Sequence, residues 1–67
     1  MEPRHLKRLR LAAEAAMDEA HRIEHAAQRH FDPGYAAKIT KAAIVDERRA
    51  WARYRAAFNR QIEANAA

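Results

Sequence analysis

"FDPGY", Phe31 to Tyr35, is the stretch on which the fold turns. Asp32 precedes a proline, and the clash with the proline ring moves it out of the helical region of backbone space. A short carboxylate so placed is a helix N-cap. Pro33 then takes the first helical position, where a missing N–H leaves nothing unpaired. Gly34 is expected to loosen the start of the new segment and let the chain reverse. On either side the sequence is rich in Ala, Arg, Glu, Leu and Lys, all good helix formers. The pattern predicts an all-α chain with one helix over about 3–30, a turn at 31–34 and a second helix over about 33–64, making a single domain over 1–67. At 1.5 Å per residue these are rods of roughly 40–50 Å.

Periodicity says how the rods face each other. Leu6, Ala13, Ala20 and Ala27 recur every seven residues, and Leu9, Ala16, Ile23 and His30 follow each by three, an a/d seam. Beyond the turn Ala36, Ala43, Ala50, Ala57 and Ala64 also recur every seven. Paired antiparallel, 6 with 57, 13 with 50, 20 with 43 and 27 with 36 each total 63, which centres the reversal at the turn residues. Two alanine stripes in register predict an antiparallel two-helix hairpin whose backbones approach to the near end of the usual 8–10 Å.

A second apolar row has no place on that seam. Ile44, Trp51 and Phe58 are spaced by sevens, with Tyr54 and Ile62 beside them, while Leu11 and Met17 sit off the first helix's main stripe. A hairpin packed only on itself buries too little to offset the ordering of its residues, about 1.5 kcal/mol each. The expectation is a homodimer forming a four-helix bundle, with Ile44, Trp51, Tyr54, Phe58 and Ile62 as the oligomer interface. Another helical protein is the alternative source of the missing helices.

Of the 67 residues eighteen are alanine, one is glycine, and none is cysteine or serine. Disulfides, thiolate metal clusters and Ser-His-Asp or Cys-His catalysis are excluded. An enzyme is not expected, nor a cofactor or small-molecule substrate. The alanine and arginine usage points to a GC-rich bacterial or phage genome, and the missing cysteines fit a cytoplasmic setting. Arg10 and Glu14 interrupt the apolar part of the N-terminal segment, which argues against a signal peptide. No apolar run is long enough to span a bilayer, and no membrane partner is expected.

"HRIEH", His21 to His25, matches a zinc-binding pattern of metalloproteases. With Glu14 and Asp18 it offers ligand types on adjacent turns. These four are the weak metal candidates, but they face away from the seam and a protease needs a further ligand and a cleft. No metal is expected. His30, on the seam beside the turn, reads as a partly buried histidine that helps end the first helix.

The net charge is +4, with arginine outnumbering lysine ten to three. Folding the hairpin brings Arg4, Lys7, Arg8 and Arg10 to the same open end as Arg53, Arg55 and Arg60, offset by Glu2 and Glu63 alone. Glu14, Asp18, Glu19, Glu24, Asp46 and Glu47 collect at the waist, where Arg22, Arg48 and Arg49 are placed to pair with some of them. The leading reading is a small non-enzymatic interaction module that acts as adaptor, scaffold or regulatory subunit and offers a basic surface. The alternative is a small regulatory nucleic-acid binder using the seven open-end cations. In architecture alone the expected dimer resembles the RNA-binding hairpins of the plasmid Rop type; no residue-level match accompanies the likeness.

Overall fold

The computed structural model describes residues 2–66. Helix α1 runs Arg4–Ala27 and helix α2 runs Pro33–Ala66. They pack against each other as a hairpin 55 Å long, 17 Å wide and 11 Å thick. No helix is long and apolar enough to cross a membrane.

The corner is built by the aspartate. The Tyr35 backbone N–H donates to Asp32 Oδ1 at 3.1 Å, and the Ala36 N–H donates to the Asp32 carbonyl at 3.0 Å. Asp32 is thus the N-cap of α2 and Pro33 its first residue, as expected from the Asp-Pro pair. The glycine has another place than the one expected. Gly34 lies inside the first turn of α2, and no described residue has positive φ. The reversal is made by Gln28 to Asp32 instead. Arg29 and His30 donate backbone hydrogen bonds to Ala26 and Ala27, three residues back, which tightens and ends α1. α1 therefore stops three residues short of the expected boundary, and His30 leaves the seam. It is exposed, its Nδ1 accepts the Asp32 N–H at 3.0 Å, and its ring stacks on Phe31 at 5.1 Å.

These assignments separate two substitutions. Asp32→Ala should destabilise the fold by about 1 kcal/mol through loss of the cap. Gly34→Ala should stabilise it by roughly 0.5–1 kcal/mol, because a Cβ there meets only Asp32 Oδ1, at 3.5 Å, and the unfolded chain loses freedom. Urea titrations of both variants check the signs.

The core is the alanine seam. Leu6, Ala13, Ala20, Ala36, Ala43 and Ala57 are the buried apolar residues, and Ala13 is 0% exposed. They are members of the two stripes whose numbers pair to 63. The stripe opens at Ala27 and Ala50, which are half-buried, and at Ala64, which is exposed. α2 has ten residues more than α1, so its last turns run past the end of their neighbour. Among the described residues no large side chain is fully buried.

Candidate interaction surface

Successive residues of an α-helix are turned by about 100°, so α2 carries parallel rows spaced by sevens. The Ala36 row faces α1. Next around the helix come Thr40, Glu47, Tyr54 and Gln61, all half-buried; then Ala37, Ile44, Trp51 and Phe58; then Lys41, Arg48, Arg55 and Ile62. Exposure grows in that order: Ala43 is 8% exposed, Phe58 42% and Ile62 51%. Trp51, Tyr54 and Phe58 form a ladder. The Trp51 and Tyr54 rings meet edge-on at 6.0 Å, and Tyr54 and Phe58 are tilted at 6.0 Å. Edge and offset contacts of this kind are the favoured aromatic geometries.

Toward the corner the same face sinks into an open groove of about 590 Å³. Ala27, Ala36, Ala37 and Ile44 line it, with Glu24, Lys41 and Arg48 around them. Small side chains make the hollow, and the larger ones beyond Trp51 make the ridge. Because Glu24 and Gln28 of α1 also line the groove, the rows holding Met17 and Arg10, and Lys7 and Glu14, flank this same face. Leu11, 48% exposed, lies one row further out. The opposite side of α2 shows solvent Asp46, Arg53 and Arg60, all exposed.

The residues singled out for charge part company. Arg4, Lys7, Arg8, Arg53, Arg55 and Arg60 are exposed, and no carboxylate pairs with them among the described residues. Helical spacing spreads them around the girth of the open end: Arg55 is on the aromatic side, Arg53 and Arg60 on the other. Arg10 differs. Its Nε and Nη2 donate to Glu2 at 3.1–3.3 Å, and its Nη1 donates to Glu14 at 2.8 Å. Hydrogen bonds donated to Glu2 and then to Glu14 hold this guanidinium protonated beyond its ordinary range. Arg10 is thereby engaged within the chain, and Glu2 is drawn in with it. At the waist Arg22 pairs with Glu19, whose carboxyl it lowers. Arg48 and Arg49, which the sequence placed for similar pairing, form no ion pair among the described residues.

Of the four metal candidates, Glu14 is half-buried and turned to Arg10, while Asp18, His21 and His25 stand exposed along α1. No three His, Asp or Glu side chains among the described residues converge on one point. An aromatic cluster at the corner has no counterpart in the sequence reading. Phe31 is 95% exposed, and His30 lies 5.2 Å from Tyr35 as well as against Phe31. The only signal for it was an aromatic on each side of "DPG". Comparison with family models, curated proteins and solved structures finds no match.

Proposed function

We propose that this chain is a non-enzymatic interaction module that homodimerises through the face bearing Ile44, Trp51, Tyr54, Phe58 and Ile62, and serves as an adaptor, scaffold or regulatory subunit. One observation carries the reading. The apolar side chains of this face run from half-buried (Ile44, Trp51, Tyr54) to exposed (Phe58 42%, Ile62 51%), while the hairpin's own core is alanine and one leucine. Burial of apolar surface yields about 25 cal/mol per Å², and a seam of methyl groups provides little of it. A second copy supplies the remainder and completes a four-helix bundle. Sedimentation equilibrium from low to high micromolar concentration tests this: a mass that rises toward the dimer supports it, and a monomer throughout removes it.

A second reading, a small regulatory nucleic-acid binder, is favoured by the six open-end cations that no carboxylate pairs with among the described residues. The first turn of α1 has no acidic residue to offset them. Binding to mixed DNA and RNA fragments should then weaken with salt, at a log–log slope of roughly 0.7–0.9 per phosphate neutralised. No binding at low salt eliminates this reading.

A further inference from the structure

We infer that the second copy docks crosswise, on a two-fold axis perpendicular to the hairpin at Trp51, so that Phe58 and Ile62 of each copy enter the alanine-floored groove of the other. The inference rests on the dimer proposed above and adds its geometry. On α2 the ridge and the groove lie on either side of Trp51 at equal distances in its own row: Phe58 is as far from it as Ile44. A two-fold at Trp51 therefore lays the protruding Phe58 over the recessed Ile44 of the other copy, with Ile62 beside it. An axis along the hairpin would set groove on groove and ridge on ridge, leaving both unfilled.

Charge favours the same choice. The first part of α1 carries Arg4, Lys7 and Arg8, and the part beyond it carries Glu14, Asp18 and Glu24. At the level of Trp51 the 63 register puts Ala12, where α1 would cross its antiparallel copy, bringing Lys7 to within one residue of the level of Asp18. The basic open ends then point in opposite directions. With the axis along the hairpin they would lie side by side, and like charges would oppose assembly. Overlap of about 45 Å at the observed 17 Å width covers roughly 750 Å² per copy, close to the ~800 Å² per partner of a standard stable interface.

The test is a size exchange. Residues 44 and 58 lie about 21 Å apart along one helix, so any coupling between them must cross a dimer interface. Ile44→Phe should fill the groove and raise the dimer dissociation constant on the order of tenfold or more. Adding Phe58→Ala, which removes the side chain that would clash, should recover most of the loss. Single spin labels supply the second measurement, attached at Gln28→Cys and Arg4→Cys in a chain with no native cysteine. The crosswise dimer predicts about 50 Å between the two labels at position 28 and about 25 Å at position 4. A dimer whose labels at position 28 lie within about 20 Å overturns the docking while leaving the dimer standing, and so do additive effects at 44 and 58. A monomer at all concentrations removes the dimer itself and the docking with it.

Discussion

Ala13→Leu is expected to destabilise the hairpin by roughly 1–3 kcal/mol, the usual cost of forcing extra methylenes into a closed site. Ala13 has no accessible surface, and the residue facing it in the 63 register, Ala50, is on the other helix. A leucine there has to push the helices apart, and separation at one level loosens contacts along the whole seam. For a domain of this size each kcal/mol shifts the melting midpoint by about 4–8 °C. Ala20→Leu and Ala43→Leu should behave alike, being 4% and 8% exposed. Ala12→Leu and Ala15→Leu, at exposed positions of the same helix, are the controls and should melt as the parent does. Thermal melts followed by circular dichroism decide it: a parent-like melt for Ala13→Leu would mean the backbones are not held close by alanine.

Trp51→Ala should have the largest effect on assembly. The indole is half-buried within one hairpin and stands at the centre of the exposed apolar face. Central aromatic side chains carry a disproportionate share of interface energy, often 2 kcal/mol or more each, so the dimer dissociation constant should rise at least about thirtyfold. Part of the loss belongs to the protomer, because the Tyr54 ring loses its edge-on neighbour. Melts at two protein concentrations separate the parts. The parent's midpoint should rise with concentration, as mass action requires of a dimer, and the variant's dependence should flatten. Unchanged association would put the interface on another face.

The elements legible in the sequence were those governed by local rules. Asp32 before Pro33 has few backbone options, and the structure uses the N-cap those options imply. The alanine stripe was legible because a period of seven on both helices, mirrored about one corner, has few explanations besides contact. Gly34 misled because glycine permits a left-handed turn without requiring one. Here the reversal is completed before it, by Gln28 to Asp32, whose conformation depends on hydrogen bonds that no spacing rule reveals. Arg10 misled for a different reason. Glu14 is a helical neighbour four residues on, but Glu2 lies eight residues back and outside α1, and reaches Arg10 only because the chain before the helix folds toward it. The open end is less basic than a count of its residues suggests. The groove, too, was out of reach: a hollow is made by what its walls lack, and a pattern of apolar letters does not show depth.

The mirror symmetry of the seam about its corner also orders events in time. Facing residues are nine apart in sequence at Ala27 and Ala36, and fifty-one apart at Leu6 and Ala57. Closing the short loop first brings the next pair within reach, so the entropy of the longest loop is never met in one step. The chain closes as a zip does, from its fastened end, and contacts of this local kind belong to chains that fold in about microseconds to milliseconds. The arginines at the open end are the last groups to acquire fixed neighbours.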